Sequence, residues 1–266
     1  MAEAVNEPRE PSAARERRRR HGRRFVIAYI VLATALAVAA VAFVSLLTRP
    51  EPEPPPQRPL FGQFRPTAGG LDGANQIASF VGDRYRLPSG KQMVLIVAGR
   101  LEIQDTPIPA IAIQEAGGTD GDETQVLPAE NTLVYSLCGS GKACAIAEGK
   151  PTAARGLLVR REALELALYT FAYLDEFDSV AAFLPPPRGQ DVPRVVFFRR
   201  NDLEGALDAD VRAGLIEGHA PLPGDITSIE GLAIDELVIP RLFSFTFQQL
   251  QDGRPILVLQ PLASGG

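Results

Sequence analysis

The chain has 266 residues, 45% of them hydrophobic and 22% charged, with a net charge of -5, two cysteines and two histidines. A single histidine, His219, lies beyond the N-terminal 50 residues, which excludes zinc catalysis through several imidazoles there. The charge is uneven: residues 1–24 carry eight arginines against four glutamates, net +4, which leaves -9 for everything after them.

Residues 1–24, with Pro8, Pro11 and dense charge, have too little apolar content to fold and read as a disordered cytoplasmic tail. Residues 25–47 follow without one charged side chain, and thirteen of the twenty-three are Leu, Ile, Val or Phe. As a helix rising ~1.5 Å per residue, this run is about 34 Å long and spans a hydrocarbon core of roughly 30 Å. Arg17, Arg18, Arg19, Arg20, Arg23 and Arg24 precede it, while Arg49, Glu51 and Glu53 follow. Positive charge before the helix sets the N-terminus in the cytoplasm and the rest outside a cell membrane that the chain crosses once, anchored in the bilayer through 25–47. A cleaved signal peptide fits less well, because cleavable apolar cores run ~7–15 residues and Ala39, Ala40 and Ala42 lie inside this one. The pair Arg23 and Arg24 as a twin-arginine export signal fits less well again, since that leader too would be cleaved. The arginine tail has no aromatic residue and no fold for nucleic-acid recognition, so nucleic acid is not an expected partner.

Residues 48–66 include Pro50, Pro52, Pro54, Pro55, Pro56, Pro59 and Pro66 and read as a stalk. At ~3.1 Å per residue in polyproline II geometry it holds a domain up to about 50 Å from the bilayer. The folded part, 67–266, is long enough to bury a core without metals or disulfides, as one domain or as two subdomains near 67–150 and 151–266. Arginine outnumbers lysine, with only Lys91, Lys142 and Lys150, a bias that suggests a GC-rich bacterial genome.

Within 67–266, Asp72 caps a short helix whose apolar face is Ala74, Ile77, Phe80 and Val81 and which Gly82 ends. Apolar runs at 92–98 and 108–114 predict strands, and the acidic, glycine-bearing 116–130 predicts a loop. Residues 131–138 and 144–147 predict a strand pair, 157–159 a short strand, and 160–174 the clearest helix, with Leu164, Leu168, Phe171 and Leu174 at helical intervals. Strands follow at 179–184 and 194–199. Asn201 with Glu204 is a capping-box pattern for a helix to Arg212, and Thr227 with Glu230 precedes a short helix near 231–237. The chain closes with a hairpin, in which Phe243, Phe245 and Phe247 alternate with polar residues before an Asp252-Gly253 turn and a return strand at 255–260. The class is α+β: a mixed or antiparallel sheet with two or three packed helices.

Cys138 and Cys144, five residues apart around Gly139 and Gly141, predict a disulfide outside the cytoplasm. Gly139-Ser140-Gly141-Lys142 resembles the end of a phosphate-binding loop, but Ser136 stands where that pattern needs its first glycine and Ala143 where it needs Ser or Thr. Ser140 is also no nucleophile elbow, since Cys138 takes the place of the first glycine. Asp120, Asp122 and Glu123 are weak calcium candidates in an order that departs from the helix-loop-helix site. Asp175, Glu176 and Asp178, or Asp235 and Glu236, are the carboxylates from which a glycosidase-like acid pair would come. No catalytic motif and no cofactor motif is complete. These features point to a non-enzymatic extracytoplasmic module on a single-pass anchor, binding an envelope protein or a cell-wall component. The alternatives are a carboxylate-dependent hydrolase of envelope polymers and a small-ligand sensor domain.

Overall fold

The structure is a computed structural model, and it describes residues 32–36, 38–39, 64–114, 124–186, 193–205, 222, 224, 226 and 228–262. Of the apolar run 25–47, residues 32–36 and 38–39 are helical and exposed; its remainder, the arginines before it and nearly all of the stalk lie outside the described residues. Among the described residues no helix is long and apolar enough to cross a membrane. The chain divides into two compact units, Met1–Gln57 and Arg58–Gly266, and the second carries the α+β fold.

That unit begins with α1 (Gly70–Arg84), which buries Ala74, Ile77, Ala78 and Val81. Its cap is Gly69 rather than Asp72, which sits in the first turn, where a carboxylate opposes the positive end of the helix dipole. The Gly70 amide donates to Glu176, so a tertiary partner serves this helix end in place of a local side chain. Five strands follow: β1 (Leu95–Arg100), the small pair β2 (Glu102–Ile103) and β3 (Thr106–Pro107), β4 (Ala110–Gln114) and β5 (Thr124–Pro128). β5 corrects the loop expected over 116–130. Its own burial is slight, and it is a strand because Thr124 to Pro128 pair along β4.

After β6 (Thr132–Cys138) the expected strand at 144–147 is replaced by a short 3-10 turn at Lys142–Cys144. Ala143 and Cys144 both adopt positive φ, which no extended strand accommodates. α2 (Ala153–Tyr173) then runs 21 residues, absorbing the strand expected at 157–159. Thr152 accepts a hydrogen bond from the Arg155 amide and caps it a full two turns earlier than the apolar spacing alone suggests. β7 (Ser179–Leu184) and β8 (Arg194–Arg199) fall where expected. Asp202, not Asn201 or Glu204, closes the turn after β8 by accepting from the Arg199 amide at 3.0 Å. The helix expected through Arg212 lies largely outside the described residues. α3 (Ser228–Val238), β9 (Leu242–Gln249) and β10 (Pro255–Pro261) complete the unit.

Eight strands form one mixed sheet in the order β1-β6-β7-β8-β9-β10-β4-β5. β6 and β7 are parallel, joined through α2, and β10 and β4 are parallel; all other neighbours are antiparallel. Strand alternation sorts side chains between two cores. Leu133, Tyr135 and Leu137 of β6, Val180 and Ala182 of β7, and Val196 and Phe198 of β8 join α1, α2 and α3 in the larger one. Val134, Ala181, Val195 and Phe197 face the other way, into a second core with Ile111, Leu257 and Leu259. Strands buried on both faces need continuous apolar sequence, and that is how β7 and β8 read. Phe243 and Phe245 pack against the second core as expected of a core face, while Phe247 remains 44% exposed at its margin.

Candidate functional site

The parallel step from β6 through α2 to β7 leaves the carboxyl ends of both strands beside the amino end of α2, the position where helix-covered parallel strands usually hold ligands. A cleft of about 440 Å³ opens there, within the ordinary range of ligand sites. Four cations line it: Lys142 from the cysteine-bounded loop, Arg155 and Arg160 from the first turns of α2, and Arg194 from the start of β8. Among the described residues no Asp or Glu lines it, and neither does any aromatic side chain. The remaining wall is aliphatic and prolyl, including Ile146, Val159, Leu184, Pro185, Pro186 and Leu242.

Each cation is placed by local structure. The sulfurs of Cys138 and Cys144 lie at disulfide distance, with Cα atoms 4.7 Å apart. Within their loop the Gly139 amide donates to the Cys144 carbonyl and the Gly141 amide to the Ala145 carbonyl, both at 2.8 Å. A Cβ on Gly139 would run into the Ala145 carbonyl, so this close return of the backbone requires glycine. The turn holds Lys142 at the mouth of the cleft. Arg155 reaches back to donate to the Glu148 carbonyl, and its guanidinium lies where a side chain on Gly149 would be, at φ +81°. Glu148 itself pairs with Lys91 and does not line the cleft; that hydrogen bond holds its carboxyl below the usual range. Arg160 donates from Nε at 3.0 Å and Nη2 at 2.7 Å to one oxygen of Asp235 on α3.

The middle of α2 is different. Arg161, Glu162 and Glu165 are buried. The Tyr85 hydroxyl donates to Glu165 Oε2 at 2.7 Å, Arg161 Nη1 donates to the Tyr85 hydroxyl at 2.6 Å, and Arg161 Nε donates to Glu230 on α3 at 2.9 Å. Arg84 of α1 pairs with the other oxygen of Glu165. Burial pushes the Glu165 carboxyl above its ordinary value, against the pull of Arg84 and Arg161. Glu162 has neither carboxyl oxygen hydrogen-bonded among the described residues, and burial together with the neighbouring Glu165 raises it much further. This network ties three helices together.

The other residues singled out from sequence are distributed as follows. His219, Asp120, Asp122, Glu123 and Arg17 to Arg24 lie outside the described residues. Among the described residues no cluster of three metal-ligating side chains occurs. Glu176 serves the α1 terminus, and Asp235 is engaged by Arg160. Asp178 accepts from Asn131 at 2.8 Å and lines a second cleft of about 360 Å³ with Glu130, Arg199 and Arg200. Arg155, Arg160 and Arg194 match no local motif and so carry no signal in the sequence, and Lys142 stands out only as part of a failed phosphate-loop pattern. The available signal was that failed pattern standing between a strand and a helix.

No family model matches the chain, and comparison with characterised proteins and with solved structures finds no match.

Proposed function

We propose that the chain is a membrane-anchored, extracytoplasmic binding module that receives an anionic component of a bacterial envelope in the cleft at the amino end of α2. The observation that carries this reading is four cations, and no carboxylate among the described residues, lining one concave site. Charge of one sign around a low-dielectric concavity concentrates ligands of the opposite sign. The anchor rests on the uncharged run 25–47 and the arginines before it. Binding rather than catalysis is favoured because the cleft offers charge and aliphatic wall but no acid-base pair.

The test is retention of purified envelope proteins and cell-wall polymers by the full chain in neutral detergent, compared with a Lys142→Glu/Arg155→Glu double variant. Retention by the parent and its loss in the variant supports the reading; equal retention by both, or none by either, sinks it. A second reading, carboxylate-dependent hydrolysis, draws on Glu130 and Asp178 sharing the smaller cleft. Release of soluble fragments from cell-wall polymer, abolished by Asp178→Asn, is the result that would promote it.

A further inference from the structure

The geometry points to a phosphate ester with an aliphatic body as the ligand of the α2 cleft, an inference that rests on the anion-binding reading above. Three features of the lining select this chemistry. The first is the number of cations and the elements they come from. Lys142, Arg155, Arg160 and Arg194 belong to the cysteine-bounded loop, two successive turns of α2 and the start of β8, so three separate parts of the wall contribute charge. A planar carboxylate presents two oxygens and one charge, whereas a phosphate monoester presents three terminal oxygens and up to two charges, which suits several Arg and Lys donors. Arg160 shares its charge with Asp235, and Arg155 donates to the Glu148 carbonyl and lies near enough to the Glu148 carboxylate to help hold it ionised, while Lys142 has no ion pair among the described residues.

The second feature is the absence of Phe, Tyr and Trp from the lining. Nucleobases and sugar rings are commonly held by stacking on aromatic faces, and this site offers none. The third is what stands in their place: Ile146, Val159, Leu184, Leu242 and the two prolines after β7 line the same cleft as the cations. An alkyl or isoprenoid chain attached to the phosphoryl group would cover these side chains. Each buried methylene adds about 0.8 kcal/mol, equivalent to roughly a fourfold gain in affinity.

The experiment is calorimetric titration of the full chain, reconstituted in phosphatidylcholine nanodiscs, with hexyl phosphate, inorganic phosphate and hexyltrimethylammonium. Hexyl phosphate is expected to bind at least about tenfold more tightly than inorganic phosphate, because even two covered methylenes supply that factor. Hexyltrimethylammonium, with the same chain and opposite charge, is expected not to bind. Arg155→Gln and the exposed-loop Lys142→Gln are each expected to weaken hexyl phosphate about tenfold, the usual loss of one charge-assisted hydrogen bond, with the melting temperature unchanged in Lys142→Gln and lowered in Arg155→Gln, which also loses its bond to the Glu148 carbonyl. Arg254→Gln, on the β9–β10 turn, serves as the control for general charge and is expected to leave binding intact. Repeating the hexyl phosphate titration in nanodiscs that contain phosphatidic acid assigns the source: binding suppressed there, and not in phosphatidylcholine alone, makes the ligand a bilayer lipid, and unchanged binding makes it a soluble ester. Equal affinity for hexyl and inorganic phosphate overturns the aliphatic ester and leaves the anion site standing. Binding of neither, with envelope polymers still retained, also overturns the ester alone. Unchanged affinity in both glutamine variants overturns the placement in this cleft.

Discussion

Along α2, arginine serves two opposite purposes within seven residues. Arg155, in the first turn, lines a cleft with no carboxylate among its described lining residues, whereas Arg161 turns into a network with Tyr85, Glu165 and Glu230. The difference comes from which face of the helix each occupies and from what the neighbouring elements bring. The end of α1 brings Arg84, with Tyr85 directly after it, and α3 brings Glu230, so Arg161 and Glu165 both find partners on the inner face. At the amino end the walls are supplied by strand ends and the cysteine-bounded loop, which deliver more cations and aliphatic carbon. A matched buried network fixes the relative positions of helices. A cleft lined by cations attracts a ligand of the opposite sign.

The sharpest way to break this comparison is to unmatch the inner network. Glu165→Gln leaves Arg84 and Arg161 facing a neutral amide, and the expected loss is about 3–5 kcal/mol of stability by urea denaturation. If the loss is under 1 kcal/mol by that measurement, Arg84 and Arg161 do not depend on Glu165. Removing the cysteines acts on the cleft side: Cys138→Ser/Cys144→Ser is expected to lower stability by about 2–3 kcal/mol and to weaken anion binding, because Lys142 loses the turn that positions it. In intact cells the two thiols are expected to resist labelling until a reductant is added; labelling of both without one would remove the closed loop from the account.

Glu162→Gln should move stability the other way. Its carboxyl is raised in the folded chain above the unfolded value of 4.5, so the folded state binds the extra proton and stability falls as pH rises from about 4.5 toward the folded pKa. Each pH unit across that window costs about 1.4 kcal/mol, and the glutamine variant does not titrate. The variant is therefore expected to melt higher than the parent at neutral pH, with the gain shrinking to nothing as pH drops to about 4.5. A gain that is the same at both pH values would show that the proton is not its source. The smallest effect belongs to the cap: Thr152→Ala is expected to cost about 1 kcal/mol by thermal melting and to loosen the turn that carries Arg155.

Much of the strand content was legible because it rests on short-range pattern. β7 and β8 read as apolar runs bounded by prolines and arginines, and the β9–β10 hairpin read from alternating phenylalanines and its Asp-Gly turn. The start of α2 was hidden for a physical reason. A helix buried on nearly every face has no polar stripe to set its period, so Leu157, Leu158 and Val159 look like strand, and only the Thr152 cap marks the true beginning. The strand expected at 144–147 failed because positive φ at Ala143 and Cys144 turns the chain back on itself, which composition does not reveal. β5 was invisible because its reason for being a strand is β4 beside it.

Local sequence by itself determined that the chain has an uncharged, arginine-flanked run at 25–47, a proline-rich segment after it, an α+β unit beyond, and two cysteines close enough to meet. These depend on composition and on contacts within a few residues. Tertiary structure alone decided that β1 pairs with β6 across the intervening β2 to β5, and that β4 pairs with β10 from the far end of the chain. It also decided that Lys142, Arg155, Arg160 and Arg194 line one cleft. Side chains that far apart in sequence meet only where strand order and helix packing bring them, and four scattered cations carry no local signature of the site they make.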